Sequence, residues 1–229
     1  MSIENEIDRL RTAKTNMKYS IEKNGISIPI NETLDNYSNY IDEFQSKFIE
    51  KTLTKCIVPN GVTKIGEYAF FGQTNLQEII LPNTVTEIMN NSFVGCSALT
   101  NLNISSSVKK IGSSAFISCN NLKQLIIPDG VLEIQANAFQ GCTSLKDVIM
   151  GKKVESLGSG AFRFCSNMQI FDFTKHISIP ILLSTDVFQG TPSNCKIIVP
   201  DNLYENWLVS TNWSTYANKI IKQSDYTNF

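Results

Sequence analysis

Phenylalanine recurs at one fixed interval through the middle of this chain of 229 residues. Five phenylalanines are each 23 residues apart, and a sixth follows after 26 residues. They are Phe70, Phe93, Phe116, Phe139, Phe162 and Phe188. A short repeating unit cannot bury its apolar side alone, so its copies must stack on one another. The interval therefore predicts a solenoid, a class of protein that usually binds other molecules and does not catalyse reactions.

The residues around each phenylalanine fall into further columns with the same interval. The unit reads L-x-x-L-x-I-P-x-x-V-x-x-I-x-x-x-A-F-x-G-C. Its L-x-x-L-x-I segment ends with the alternation of a strand that buries one face. Proline, which has no amide hydrogen to donate, then ends the strand. Strands of successive coils are expected to pair in parallel about 4.8 Å apart, while the V-x-x-I segment returns along the other side.

This unit resembles the leucine-rich repeats of the BspA-like type, which occur in bacterial surface proteins and some phage proteins. The resemblance covers residues 53–200. It implies an α/β solenoid, a leucine-rich repeat array of about six coils with parallel strands. We expect this solenoid domain over residues 49–200, with an N-terminal helical hairpin before it and a C-terminal helical cap after it.

Cysteine has a column of its own in the repeat, which holds Cys96, Cys119, Cys142 and Cys165. Stacked coils would bring such residues within disulfide-bonding distance, but cytosolic thiols are normally reduced. A metal site would need paired ligands such as C-x-x-C, which the sequence lacks. Because free cysteine behaves as a small buried hydrophobe, we interpret this column, and Cys56 in an aliphatic column, as core.

Residues 1–48 depart from the repeat and are predicted to form a helix–loop–helix. Apolar residues from Ile3 to Ile21 follow steps of four and three, with Ala13 and Lys14 in the one gap, which is a heptad-like pattern. A second amphipathic stretch follows the extended segment around Pro29. The hairpin either caps the first coil, because an open solenoid end exposes apolar surface, or residues 1–24 self-associate or dock into a larger assembly.

The same N-terminal segment resembles those of phage tail and baseplate-associated proteins. The resemblance rests on the stretches I-D-R-L-R-T-A-K, N-G-I-S-I-P and T-L-D-N-Y-S-N-Y-I-D-E-F. It implies that this end of the chain attaches to a virion or to other virion proteins.

Residues 201–229 follow the last repeat and are predicted to form the C-terminal cap. Their sequence is similar to the C-terminal ends of BspA-like arrays. Tryptophan and tyrosine supply large apolar area with one polar handle. We expect a short helix that is packed against the final coil by Trp207, Trp213, Tyr216 and Ile220.

Charge and hydropathy exclude several classes of partner. The net charge is −1, and charges of both signs are mixed along the chain, so no basic stripe predicts nucleic-acid binding. No stretch approaches the roughly 20 apolar residues that span a bilayer. The polar N-terminus lacks the apolar core of a signal peptide. We therefore predict cytoplasmic synthesis followed by virion association, with the cell surface as the alternative location.

The sequence offers little catalytic chemistry. We find no pairing of a nucleophile with a base and no G-x-x-x-x-G-K-[ST] phosphate-binding motif. The lone histidine, His176, lies in a stretch that interrupts the repeat, and we interpret it as a loop or edge residue. The chain is predicted not to be an enzyme and to use no cofactor or metal.

The strand segment predicts which side chains leave the core. Leu53, Cys56 and Val58 are expected to point inward, so Lys55 and Ile57 point outward. The same positions in the next four coils complete two candidate partner-binding columns: Lys55, Glu78, Asn101, Gln124 and Asp147, then Ile57, Ile80, Asn103, Ile126 and Ile149. The isoleucines keep two interpretations, since β-branched residues suit any sheet surface and an apolar stripe can mark a partner site.

Together these observations predict a non-enzymatic binding or adhesion module. The main hypothesis is a phage or prophage tail-associated protein whose repeat face recognises a bacterial surface protein or glycan. The alternative is a bacterial surface or secreted leucine-rich repeat protein that acts in adhesion or protein interaction.

Overall fold

The phenylalanine column forms the axis of the core in a computed structural model of the protein, which describes residues 52–226. Rings one repeat apart stack with centroid separations of 4.9, 4.9, 5.1 and 5.3 Å from Phe70 to Phe162. Because strands of a sheet also lie about 4.8 Å apart, each ring belongs to one coil of the solenoid. The predicted helix–loop–helix of residues 1–48 lies outside the described residues.

Each coil contributes one strand to either side of the solenoid. The strands are β1 (Lys55–Ile57), β2 (Lys64–Ile65), β3 (Glu78–Ile80), β4 (Glu87–Ile88), β5 (Asn101–Asn103), β6 (Lys110–Ile111), β7 (Gln124–Ile126), β8 (Glu133–Ile134), β9 (Asp147–Ile149), β10 (Ser156–Leu157), β11 (Ile170–Asp172) and β12 (Ile181–Leu182). Of these twelve strands, the odd-numbered ones lie on the side that we call the front, and the even-numbered ones lie on the back.

Paired strands place equivalent residues of successive coils opposite one another. Cys56 lies opposite Ile79 at the front, and Ile65 lies opposite Ile88 at the back. All described strand pairs are parallel. The sequence interval therefore corresponds to one coil, and the predicted parallel-strand solenoid is confirmed.

The cysteine column lies in the core beside the phenylalanines. Cys96 is fully buried, and its Sγ donates a hydrogen bond to the carbonyl of Phe70, 3.1 Å away. Cys119, Cys142 and Cys165 repeat this bond to the phenylalanine carbonyl 26 residues earlier. Burial raises the pKa of the Cys96 thiol to about 12. These thiols are protonated and structural, as the repeat predicts.

The C-terminal end closes the solenoid with short elements. In chain order they are β13 (Lys196–Val199), a 3₁₀ helix (Asp201–Leu203), α1 (Tyr204–Val209), a second 3₁₀ helix (Trp213–Tyr216) and β14 (Ile220–Lys222). The buried rings of Trp207 and Trp213 both contact Phe173 of the last regular coils, with centroids 5.5 Å away. The predicted cap is present, although its helical part is small.

The predicted secondary structure at Ile220 is wrong. Ile220 was expected on a helix, but it lies in β14, opposite Ile197 of β13. A front strand with no neighbour leaves a row of main-chain donors and acceptors unpaired. In this chain β14 pairs with that edge in parallel, so the front side continues beyond the last repeat.

Candidate functional site

The outward side chains of the front strands form the face that the repeat predicts. In β1, β3, β7, β9 and β11, the middle residue is buried and its two neighbours are exposed or half-buried. In β5 the middle residue, Leu102, is only half-buried. All ten candidate residues lie on this face: Lys55, Ile57, Glu78, Ile80, Asn101, Asn103, Gln124, Ile126, Asp147 and Ile149. Their role in binding stays a prediction.

Charged groups on this face contact polar partners along the columns. Lys55 Nζ lies 2.7 Å from Glu78 Oε2 across the first strand pair. Gln124 Nε2 lies 3.5 Å from Asp147 Oδ2 across another, where it donates a long hydrogen bond. Both contacts follow from the parallel register, which places these residues opposite each other. The face therefore presents mixed polar groups without a block of one charge.

A break divides the front strands into two sheets. β1, β3 and β5 form the first, and β7, β9, β11, β13 and β14 form the second. At the start of the strands, Thr100 N donates to Gln77 O at 3.0 Å, and Lys146 N donates to Lys123 O at 2.8 Å. Among the described residues, the equivalent bond from Lys123 N to Thr100 O is missing.

The same break recurs at the end of the strands. Ile127 N donates to Ile149 O at 2.9 Å. Among the described coils, the equivalent bond from Ile104 N to Ile126 O is missing, and so is the bond from Leu81 N to Asn103 O between β3 and β5. Main-chain groups of β5 and β7 thus face an opening between the two strands, which we call the β5–β7 opening.

Close contacts limit the β5–β7 opening at both ends. Before the strands, Asn121 N donates to Ser97 O at 3.2 Å. After them, Leu132 N donates to Lys109 O at 2.8 Å. The opening is therefore a local parting of two coils that remain joined on either side of it.

The solenoid is continuous behind the β5–β7 opening. β6 pairs with β8 in register, and the Phe116 and Phe139 rings stack at 5.1 Å. At the next turn the coils approach so closely that a Cβ on Gly130 would lie 2.1 Å from Ser106 O. Core and back sheet therefore hold the two coils together while their front strands separate.

A groove of about 700 Å³ lies over β5 in the front face, next to the β5–β7 opening, and its walls come from the coils of β3 and β7. Leu102, which would otherwise be sealed in the core, lies in its lining. Amide side chains surround it, from Asn83, Asn101, Asn103 and Gln124. Isoleucines flank them, with Ile80 half-buried and Ile126 62% exposed. The groove joins an apolar floor to a rim of amide side chains, with Glu78 as the one charged residue in its lining.

Local sequence accounts for the parting of the strands. Asparagine occupies both outward positions of β5, and asparagine is depleted in strands because it favours turns. The turn after β5 also replaces proline by Ser105, whose Oγ lies 3.0 Å from Asn83 Oδ1 of the previous coil. These contacts hold β5 to β3 rather than to β7. Asn101 and Asn103 in one strand were the sequence feature that could have predicted this break. They were assigned only as members of the outward columns.

His176 is buried and is not part of this face. Its side chain is 3% exposed and packs against Phe173 and Trp207, with ring centroids 5.1 and 6.3 Å away. The expectation of a loop residue holds for its backbone, but the side chain belongs to the core. Burial lowers the pKa of its imidazole. A neutral ring without access to solvent offers no general base to a substrate.

Comparison with known proteins identifies the repeat. The BspA type leucine rich repeat region matches residues 44–169, in six copies. A leucine rich repeat protein of T. pallidum is similar in structure, with 25% identity, a TM-score of 0.54, and coverage of 64% of this chain and 68% of that one. A search of curated proteins gave no significant match.

A second solved structure has the same fold. It is the pneumococcal vaccine antigen PcpA, with 21% identity and a TM-score of 0.56 over 74% of this chain. The chain spans 41% of the length of that antigen. None of these matches supports the predicted resemblance to phage tail proteins.

The family match extends over more than half of the chain. Between residues 52 and 226, no helix has both the length and the apolar character to cross a bilayer. The repeat columns, the parallel coils and the family match agree with one another. The chain therefore belongs to the BspA type leucine-rich repeat family.

Proposed function

We propose that this chain is a non-enzymatic interaction and adhesion module whose front face recognises a protein or glycan on a cell surface. The observation that carries the proposal is the pair of outward columns. Strand register aligns side chains that differ from coil to coil on one rigid face. This proposal takes up the alternative of the two sequence-based hypotheses, a surface or secreted leucine-rich repeat protein, and omits the phage tail.

The chemistry of the described residues favours binding over catalysis. The candidate nucleophiles of the cysteine column are buried and protonated. The one histidine is buried between aromatic rings. The exposed columns instead combine isoleucines, amides and charged groups with polar partners, a mixture typical of transient protein interfaces.

Introducing positive charges at two isoleucines tests the front face directly. Ile80→Lys combined with Ile149→Lys places two cations in the outward columns, one on each side of the break. Labelled protein is added to intact bacterial and animal cells, and bound fluorescence is measured by flow cytometry. We expect the wild type to bind and the double variant to lose binding, with nearly unchanged thermal melting. Protease or periodate treatment of the cells separates protein from glycan ligands.

The matched control introduces the same charges on another surface. Ile177 and Ile181 are 87% and 65% exposed, and neither lies on the front strands. Ile177→Lys with Ile181→Lys is therefore expected to bind cells like the wild type. Equal loss in both double variants, or intact binding by the front-face variant, would remove the basis for this proposal.

A further inference from the structure

We propose that the groove over β5 binds a short neutral saccharide. This inference deepens the proposed function, on which it rests, because it assigns one chemical class of ligand to one place on the front face. Small-molecule sites are typically concave and combine apolar surface with a few polar groups that fix the orientation of the ligand. The groove over β5 has both properties.

Main-chain groups without protein partners line the groove. The amides of Leu81 and Ile104 lack the bonds that equivalent residues of the neighbouring coils make. The carbonyls that would accept those bonds, Asn103 O and Ile126 O, accept no main-chain bond within residues 52–226. Leu81 and Ile104 are buried, and buried main-chain amides are almost always paired. These groups favour a ligand that both donates and accepts hydrogen bonds.

Asparagine side chains add further free groups at the same place. Asn101 and Asn103 are both exposed, and neither side chain has a hydrogen-bond partner in the part of the chain that the structure describes. Outward positions of one strand lie roughly 6–7 Å apart, a span that hydroxyls on opposite sides of one sugar ring can match. Amide and hydroxyl groups each donate and accept, so each asparagine can bind neighbouring hydroxyls.

The groove over β5 has the shape of a trough. Glu78 and Ile80 form one wall, and Gln124 and Ile126 form the other. The walls belong to coils about two strand spacings apart, or roughly 9–10 Å between main chains, which leaves room for one row of sugar rings. Leu102 and the two isoleucines give the trough apolar surface. The C–H groups of a sugar ring can pack there while its hydroxyls contact the amides.

Charge selects a neutral ligand. Glu78 is the one charged residue in the groove lining, and its carboxylate lies 2.7 Å from Lys55 Nζ. Lysine, arginine and histidine are absent from the described lining. An anionic sugar would lose hydration beside the amides without gaining an ion pair there. A neutral sugar instead exchanges its hydration for equivalent hydrogen bonds.

The distribution of the free groups favours a saccharide over a peptide. A peptide that pairs as a strand needs a row of main-chain groups along one strand edge. The free groups of this groove are spread over the coils of β3, β5 and β7, and they combine main-chain atoms with amide side chains. Hydroxyls that point in several directions around a ring can reach such a set.

The experiment uses the full chain and a panel of neutral disaccharides, namely maltose, cellobiose, lactose and di-N-acetylchitobiose. Binding is measured by saturation-transfer NMR and by shifts of the side-chain amide signals of ¹⁵N-labelled protein. We expect a disaccharide to shift the signals of Asn101 and Asn103 and to slow hydrogen exchange at Leu81 and Ile104. The uronic acid counterpart of the best ligand should bind about tenfold more weakly or less, because its carboxylate finds no cation.

Two variants and one matched control complete the test. Asn101→Leu with Asn103→Leu removes both amide groups and is expected to abolish binding. Asn120→Leu with Asn121→Leu makes the same change at exposed asparagines outside the groove lining and should bind like the wild type. Thermal melting checks the fold of each variant. Ile126→Glu removes apolar surface from a wall at a position that is 62% exposed, so it should weaken binding even if the asparagine variant fails to fold.

Four outcomes would overturn the inference. They are that no disaccharide of the panel binds, that binding leaves the signals of Asn101 and Asn103 unchanged, that all variants bind like the wild type, and that neutral hexapeptides shift those signals where disaccharides do not. Cell binding that depends on Ile149, outside the groove, and that resists periodate would uphold the proposed function but overturn this inference. The two therefore fail by different measurements.

Discussion

The front and back of the solenoid are built from the same coils, yet one is divided and the other is continuous. The back sheet runs through six two-residue strands from β2 to β12. Each of its strands ends in a buried isoleucine or leucine, namely Ile65, Ile88, Ile111, Ile134, Leu157 and Leu182. The front strands have three residues, except β13 with four, and their outward residues differ from coil to coil. Where both became asparagine, pairing with the next coil was lost.

The core and the surface of this solenoid therefore control separate properties. The phenylalanine stack crosses the break with a spacing of 5.1 Å, close to its value elsewhere. Core packing therefore sets the rise of the coils, whereas the outward residues decide whether main chains pair at the front. A solenoid of this kind can open a groove locally without interrupting its core.

The largest effect is expected from the core that both sides share. Phe116→Ala removes a buried ring that stacks on Phe93 and Phe139 directly behind the β5–β7 opening. A cavity of this kind lowers the free energy of unfolding by about 3–5 kcal/mol, as measured by urea denaturation. Phe164→Ala, at a ring that is 46% exposed, should cost less than about 1 kcal/mol. Similar losses in both variants would show that the stack does not hold the coils.

The next effect concerns the close contact that limits the β5–β7 opening. Gly130→Ala would place a methyl group 2.1 Å from Ser106 O, so the two coils must move apart. Overpacking of this kind costs about 1–3 kcal/mol, and the front opening should widen, with faster exchange of the Leu132 amide. Gly66→Ala, at a position with no atom within 4 Å, is the matched control. An unchanged Leu132 amide in the Gly130 variant would contradict this account of the boundary.

A pH-dependent effect is expected where the chain passes from front to back in the sixth coil. His176 lies between β11 and β12, and burial lowers its imidazole pKa below the ordinary value of about 6.5. The carboxylates of Asp129 and Asp172 act in the opposite direction, but more weakly than burial. Since the unfolded chain then takes up the proton more readily, stability is full above about pH 6.5 and falls as the pH decreases toward the folded pKa.

The measurement for His176 is urea denaturation between pH 7.5 and 5. Each unit of pKa difference corresponds to about 1.4 kcal/mol. His176→Phe removes the titrating group and keeps an aromatic ring beside Phe173 and Trp207. Its free energy of unfolding should vary less over this range. A slope equal to that of the wild type would assign the pH dependence to other groups.

The smallest effect is expected from closing the front. Asn101→Val with Asn103→Val should raise the free energy of unfolding by up to about 1 kcal/mol, the range that strand propensity covers in a host protein. Exchange of the Lys123 amide should slow at the same time. The reverse change, Asp147→Asn with Ile149→Asn, should open a second break between β9 and β11, the next strand of the array. Intact pairing there would mean that asparagine alone does not divide the front.

Much of the fold was predictable because it depends on repetition. The phenylalanine and cysteine columns, the strand that ends at proline and the parallel stacking all follow from the interval, since each coil meets the same neighbour in the same way. The ten outward residues were placed on one face by strand alternation alone. Their order along the array needed no tertiary information.

Features without a repeat were harder to predict. Ile220 carries an apolar pattern that fits a helix or a strand, and the open edge of β13 decided in favour of a strand. The loop position of His176 was clear from the interrupted repeat, but the burial of its ring depends on Trp207, which returns to it from a later element. Contacts of this kind join segments whose spacing has no period.

The repeat pattern specifies the coil, its core and the direction of the side chains in the front columns. Those properties are local and are reinforced in every copy of the unit. Whether β5 and β7 pair depends on the folded chain, because pairing is a competition between neighbouring strands, turns and side chains of three successive coils. The free-energy differences in that competition are about 1 kcal/mol per residue. A column pattern does not predict differences of that size, because they depend on the contacts between adjacent coils.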